Sequence, residues 1–125
     1  MTPPARTIAV VDDEASVRVA LGRLLRLQGY SVTSFASGEE LLASLAAKRP
    51  SCIVLDVHLP GLSGFDVERS LRESQHGIPI VFITASDDQT LTRSALDASG
   101  ARLLHKPFSS DALIEAVEAA LANAD

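Results

Sequence analysis

Five short strand-like segments alternate with segments of helical pattern along this chain, and this alternation constrains the fold more than any other feature. The strand-like segments are Ile8–Val11, Ser31–Phe35, Cys52–Leu55, Ile80–Ile83 and Leu103–Leu104. Strands that alternate with helices through short connections predict an α/β domain with a parallel sheet. We therefore expect a doubly wound, flavodoxin-like sheet of five strands in the order 2-1-3-4-5, with five helices on its two faces.

Start and stop signals place the five helices between and after these strands. Apolar residues after Asp13 keep helical spacing as far as Leu25, and Gly29 provides a stop. Ser37 and Glu40 have the spacing of a capping box. The other helices are predicted from Ser37 through Leu45, from Phe65 to Glu73, from about Gln89 to Ser99 and from about Ser110 to Asn123.

Size and charge limit the classes of function. The 125 residues suit one domain, residues 1–125 with a core from about 6 to 123. A net charge of −5 without clustered arginines argues against direct binding of nucleic acid. No apolar stretch approaches the roughly 20 residues that span a bilayer, and residues 1–6 lack a signal-peptide pattern. We therefore expect no membrane partner and a cytoplasmic location, with the single Cys52 buried in the core.

Residues capable of metal or phosphate chemistry follow four of the five strands: Asp12, Asp13, Asp56, Thr84 and Lys106. Because the carboxyl ends of parallel strands share one edge, these side chains should line one pocket where the strand order reverses. Two carboxylates about 4 Å apart repel by about 4 kcal/mol at an effective dielectric constant near 20. A hard divalent cation with oxygen ligands would relieve that repulsion, and Mg²⁺ fits best.

The Thr84 hydroxyl and the Lys106 ammonium add a hydrogen-bond donor and a positive charge to these carboxylates. Lys106 is one of two lysines in a chain with nine arginines, which favours a specific role for a compact positive charge there. A carboxylate, a bound Mg²⁺, a hydroxyl donor and a lysine are what phosphoryl transfer onto an aspartate requires. On this hypothesis the Asp56 carboxylate attacks the phosphorus in line, and the metal and Lys106 hold the equatorial oxygens of the phosphoryl group.

The motifs in which these residues stand carry a resemblance to a known family. They are Val11-Asp12-Asp13-Glu14, Leu55-Asp56 with the loop from Pro60 to Gly64, Thr84-Ala85, and Lys106-Pro107-Phe108. Together they resemble the receiver domain of two-component response regulators, and the stretch from Leu55 to Ala85 is most similar to FixJ-like regulators. The resemblance covers the chain from about Arg6.

The resemblance implies a site and a partner. Asp56 would be the phosphoacceptor, loaded from the histidine of a cognate sensor histidine kinase. Mg²⁺ would be bound by Asp13, Asp56 and the backbone carbonyl of His58, with Asp12 acting through water. Thr84 would reorient toward the phosphoryl group and Lys106 would pair with it. The bond between Lys106 and Pro107 would be cis.

The family also implies a conformational switch and an output surface. This sequence departs from the family at one position of the switch. Many receivers have an aromatic residue three positions before the lysine, and here that switch position is Leu103. His58 is an uncommon residue two positions after the acceptor, and we expect it to affect phosphoryl lifetime. The face made by the fourth helix, fifth strand and fifth helix is expected to form a homodimer or to contact an output domain.

Other interpretations are weighed against this one. Asp12 and Asp13 could cap the first helix. A haloacid-dehalogenase-type phosphatase would need a second aspartate at the position of His58. The chain could also be a stand-alone receiver that relays phosphate or binds proteins, rather than the receiver of a transcriptional regulator. We expect no enzymatic activity beyond promotion of its own phosphorylation and dephosphorylation.

Overall fold

The strand-like segments form five strands, and the segments between them form helices. The computed structural model describes residues 6–74, 76–85 and 102–124. The strands are β1 Thr7–Val11, β2 Ser31–Phe35, β3 Cys52–Asp56, β4 Ile80–Thr84 and β5 Arg102–His105. The helices of the described ranges are α1 Ala15–Leu27, α2 Gly38–Ser44, α3 Gly64–Glu73 and α4 Ser110–Ala124. The predicted helix at about 89–99 lies outside the described residues, so α4 is the fifth helix of the sequence prediction.

The strands form one parallel sheet in the order β2-β1-β3-β4-β5, as predicted. The chain moves from β1 outward to β2 and then crosses back to β3 on the other side of β1. The ends of β1 and β3 therefore lie next to each other at the point where the strand order reverses. This is where parallel α/β sheets place their ligands.

The core consists of two apolar layers, one on each face of the sheet. On one face, Leu21 and Leu25 of α1 pack with Leu113 and Val117 of α4. On the other face, residues of α2 and α3 pack against strand side chains that include Phe82. Every residue of β1, β3 and β4 is buried, whereas β2 and β5 are partly exposed at the edges of the sheet. The three central strands are therefore held on both faces, as the near-continuous apolar runs of β3 and β4 predicted.

Strands β3 and β4 extend one residue beyond their predicted ends, as β5 also does at His105. Asp56 is the last residue of β3 and Thr84 is the last residue of β4. The sequence prediction ended both strands at the last apolar residue, but the backbone ladder continues: the Val57 N–H donates to the Ile83 carbonyl at 2.9 Å. Asp56 and Thr84 therefore belong to the strands themselves.

The helix ends mostly follow their predicted signals. Gly29 follows α1 with φ of 94°, a left-handed conformation that glycine adopts without steric cost. Ser37 Oγ accepts a hydrogen bond from the Glu40 N–H at 3.1 Å. The capping box is incomplete, because the Glu40 carboxylate accepts from the Ala36 N–H at 2.8 Å and not from Ser37. In the described residues, no helix is long and apolar enough to cross a bilayer.

Candidate phosphoryl-transfer site

The carboxylates at the ends of β1 and β3 meet the ammonium that follows β5. Lys106 Nζ lies 3.3 Å from Asp12 Oδ2 and 3.8 Å from Asp56 Oδ2. Asp12 and Asp56 are 1% and 5% exposed, so the two carboxylates are largely shielded from water. Residues 94 positions apart in sequence thus share one pocket at the carboxyl edge of the sheet.

Asp56 is held by the backbone that surrounds it. Its Oδ1 accepts a hydrogen bond from the N–H of His58 at 3.0 Å, while the side chain of His58 is exposed. The loop after β3 returns to the strand end at Gly64, whose N–H donates to the Val57 carbonyl at 2.9 Å. A Cβ at Gly64 would overlap the Asp56 carbonyl oxygen and lie 2.9 Å from the Val57 Cα. Only glycine allows this close return of the loop.

The two aspartates after β1 have different environments. The Asp12 carboxylate accepts from the Glu14 N–H at 2.9 Å, and the Asp12 backbone carbonyl accepts from Arg18 Nη1 at 2.6 Å. Asp13 is exposed. The helix-cap interpretation is partly supported, because Asp12 binds the N–H of the residue that precedes α1, although the N-cap Glu14 makes no side-chain capping bond.

The three aspartates form a set that could hold a metal ion. Asp12, Asp13 and Asp56 each offer a carboxylate oxygen, and these oxygens lie within 4.8 Å of one another. Mg²⁺ prefers oxygen ligands and commonly binds through one or two carboxylates while it keeps several waters. The donor set therefore fits the predicted ion, with two buried carboxylates and one that faces solvent.

Burial and like charge shift the ionisation of Asp56. Burial raises the pKa of Asp56 to about 6, the His58 N–H opposes that rise, and the Asp12 carboxylate adds to it. For Lys106, burial alone would lower the pKa, but the Asp56 and Asp12 carboxylates outweigh it and the net pKa is raised. The ammonium therefore stays charged, and Asp56 is a more basic carboxylate than an exposed aspartate.

Thr84 lies on the strand next to Asp56. Asp56 pairs in register with Ile83, so Thr84 is one position beyond that pair at the same edge. It is fully buried, and its carbonyl accepts from the Lys106 N–H at 2.8 Å. The hydrogen bond ties the threonine position and the lysine position together through the backbone.

The two remaining predicted positions lie on or just after β5. Leu103 is half-buried and packs against the apolar layer that contains Phe82. The Phe82 ring makes an edge-to-face contact with Phe65, with 5.1 Å between ring centroids. The peptide bond between Lys106 and Pro107 is cis.

Sequence reasoning missed two residues that shape this site. The bond from Arg18 to the Asp12 carbonyl has no sequence signature, because it depends on the angle at which α1 leaves β1. The close packing of Gly64 was also missed, although Ser63-x-x-Asp66 is a capping signal that places the start of α3 beside it. Ser63 Oγ accepts from the Asp66 N–H and the Asp66 carboxylate accepts from the Ser63 N–H, both at 3.1 Å.

A family model and two curated relatives match most of this chain. The family model described as the response regulator receiver domain matches residues 8–118. Nodulation protein W of Bradyrhizobium diazoefficiens is 42% identical over 113 residues, which are 90% of this chain and 50% of that protein. Response regulator protein TodT of Pseudomonas putida is 36% identical over 121 residues, which are 97% of this chain and 53% of that protein. The chain thus spans about half the length of these curated relatives.

A solved structure agrees with the fold. Chemotaxis protein CheY4 of Vibrio cholerae is 29% identical, with a TM-score of 0.85 over 94% of this chain and 100% of that one. The five-stranded order, the pocket at the strand ends and the match over residues 8–118 lead to one assignment. The chain belongs to the response regulator receiver family and is a receiver domain of a two-component system.

Proposed function

We propose that this receiver is a phosphorylation-operated switch that accepts a phosphoryl group on Asp56 from a partner histidine kinase. The observation that carries the proposal is the placement of Lys106 Nζ within 3.8 Å of buried carboxylate oxygens of both Asp12 and Asp56. A structural ion pair would need one carboxylate. Two carboxylates on one ammonium, with a third nearby, leave the negative charge in excess and create a place for a cation.

Mg²⁺ is the proposed ion. Asp13, Asp56 and the backbone carbonyl of His58 would hold it, with Asp12 acting through water. When bound, the ion supplies positive charge against the oxygens of the transferring phosphoryl group. The support for this proposal is the all-oxygen donor set whose members lie within 4.8 Å of one another.

The chain's own residues account for the transfer. A carboxylate oxygen of Asp56 attacks the phosphorus of a phosphohistidine, the P–N bond breaks, and the imidazole leaves with the bonding electron pair. Asp56 has a pKa of about 6 and is mostly ionised at pH 7, so the nucleophile is available in its reactive form. Lys106 is placed to pair with a phosphoryl oxygen.

The conformational response follows from the same residues. Thr84 is buried at the adjacent strand end, and its hydroxyl would donate to the phosphoryl oxygens in the phosphorylated state. A few kcal/mol of preference for that state would invert a two-state population. Leu103 has no ring to exchange positions with Thr84, so we propose that switching here proceeds by repacking of the leucine against the Phe82 layer.

We extend the proposal to the partners and the setting. The face that contains β5 and α4 would form a homodimer or contact an output domain in the phosphorylated state, and the whole protein would regulate transcription in the cytoplasm. A stand-alone receiver is the second candidate, since CheY4 is matched over its entire length. The chain would catalyse nothing beyond its own phosphorylation and dephosphorylation, and the family match over residues 8–118 favours the switch over a phosphatase.

Acetyl phosphate with Mg²⁺ provides the test, with intact-mass measurement as the readout. The wild-type chain should gain one phosphoryl group, and Asp56→Ala should gain none. Asp111→Ala removes an exposed carboxylate of α4 as a matched control and should behave as wild type. Modification of Asp56→Ala to the same extent as wild type would contradict the proposal.

A further inference from the structure

The half-buried Arg18 of α1 reaches the aspartate pocket through a backbone group and not through a carboxylate. Its Nη1 donates to the Asp12 carbonyl at 2.6 Å, and its own N–H donates to the Glu14 carbonyl at 3.1 Å. Glu14 lies four residues before Arg18, which is the favoured spacing for an ion pair along a helix. Arg18 nevertheless makes no ion pair with Glu14 or with any other described residue. The guanidinium is therefore committed to the peptide group that follows β1.

Every polar group of Asp12 has a hydrogen-bond partner. The backbone N–H donates to the Phe35 carbonyl of β2 at 3.2 Å. The two carboxylate oxygens accept from the Glu14 N–H at 2.9 Å and from Lys106 Nζ at 3.3 Å. The backbone carbonyl accepts from Arg18. Asp12 is therefore fixed in the pocket both by its side chain and by its backbone.

Asp13 has no such support of its own. It is exposed, and it makes no hydrogen bond with any residue in the described part of the chain. The two peptide groups that flank it are both held. Arg18 binds the Asp12 carbonyl on one side, and the Asp12 carboxylate binds the Glu14 N–H on the other. Because each peptide group is a rigid plane, these two hydrogen bonds set the direction in which the Asp13 carboxylate leaves the backbone.

We propose that Arg18 is a positioning residue for metal binding: by fixing the peptide between Asp12 and Asp13, it holds the Asp13 carboxylate where it can bind an ion together with Asp56. The inference rests on the proposed function, in which Asp13 and Asp56 bind Mg²⁺. This ion demands near-ideal octahedral geometry, so a ligand that must first be ordered binds it less tightly. Mutation of a residue that orients a metal ligand typically lowers metal affinity by roughly 10- to 100-fold.

The charge of Arg18 predicts the opposite effect, so the sign of the change separates the two roles. A guanidinium that acted only as a positive charge near the pocket would repel Mg²⁺, and its removal would tighten binding. A guanidinium that positions Asp13 makes binding tighter, and its removal weakens binding although a positive charge is lost. The positioning role therefore has a result that simple electrostatics does not give.

A Mg²⁺ titration of the unphosphorylated chain by calorimetry tests the proposal. Arg18→Met should raise the Mg²⁺ dissociation constant by roughly tenfold. Arg18→Gln also removes the charge and shortens the side chain, so it carries the same expectation and replaces Arg18→Met if that variant does not fold. Arg18→Lys keeps the charge and a hydrogen-bond donor and should recover part of the lost affinity. Arg23→Met removes the same charge at an exposed residue of α1 and should bind Mg²⁺ at least as tightly as wild type.

Two results would overturn the role of Arg18 in variants that circular dichroism shows to be folded. One is an uncharged Arg18 variant that binds Mg²⁺ as tightly as wild type or more tightly. The other is an Arg18→Lys chain that binds no better than the uncharged variants. If wild type still gains a phosphoryl group from acetyl phosphate, either result refutes the positioning role and leaves the proposed function intact. A wild-type chain that binds no Mg²⁺ refutes the proposed metal site and the role of Arg18 with it.

Discussion

Replacing Asp56 by asparagine should stabilise the metal-free protein at neutral pH, although it removes the proposed phosphoacceptor. Asp56 is buried beside Asp12, and the net effect of its surroundings raises its pKa to about 6. The folded protein therefore holds a proton at this position more strongly than the unfolded chain does. Asparagine keeps the shape and carries no charge, so it avoids the cost of ionising this site.

The magnitude follows from the difference in pKa between the two states. An aspartate in the unfolded chain has a pKa near 3.8 and this one has about 6, and each unit corresponds to about 1.4 kcal/mol. Between these two values the folded state binds more protons, so its stability falls as the pH rises from about 4 to about 6. The loss approaches about 3 kcal/mol above pH 6 and is small at pH 4, and Asp56→Asn should remove it.

Urea unfolding in the presence of a chelator measures this directly. The gain in unfolding free energy from Asp56→Asn should be about 2 to 3 kcal/mol larger at pH 7 than at pH 4. Asp111→Asn makes the same chemical change at an exposed residue and serves as the matched control at both pH values. A gain for Asp56→Asn that is the same at both pH values would refute the reasoning, because the stability difference would then not come from ionisation.

Three further substitutions test separate parts of the structure. Gly64→Ala should lower the unfolding free energy in urea by about 1–3 kcal/mol and slow phosphorylation, because its Cβ would overlap the Asp56 carbonyl oxygen. Gly77→Ala serves as the control, since a Cβ at Gly77 meets no atom within 4 Å. His58→Ala should change the dephosphorylation rate more than the Mg²⁺ affinity, and an unchanged rate contradicts this. Ser63→Ala should cost about 1 kcal/mol by removing the cap of α3, and thermal unfolding with no such loss would show that the cap contributes little.

The architecture and the location of the pocket could be predicted because they depend on local patterns. Apolar runs such as that before Asp56 are fully buried in the sheet, and parallel pairing brings their carboxyl ends to one edge. This is enough to place Asp12 and Asp56 side by side, because β1 and β3 are neighbours in the sheet, and to place Lys106 at the same edge, at the end of β5. No long-range contact had to be known in advance.

The features that escaped prediction depend on distances that strand order does not determine. The contact of Arg18 with the Asp12 carbonyl depends on the tilt of α1, and the overlap that excludes a Cβ at Gly64 depends on how tightly the loop returns to β3. The raised pKa of Asp56 is of the same kind. The size of this pKa shift depends on how deeply the carboxylate is buried and how close Asp12 lies. The sequence pattern predicts only that the pKa rises.

A Mg²⁺ titration by calorimetry tests most directly whether Lys106 and the aspartates share one functional pocket. Lys106 Nζ lies 3.3 Å from Asp12 and 3.8 Å from Asp56, so Lys106→Met should leave more negative charge at the site and tighten Mg²⁺ binding. Lys48→Met removes the other lysine of the chain, which is exposed after α2, and should bind Mg²⁺ as wild type does. An unchanged affinity in Lys106→Met, or an equal change in both variants, would contradict a shared pocket.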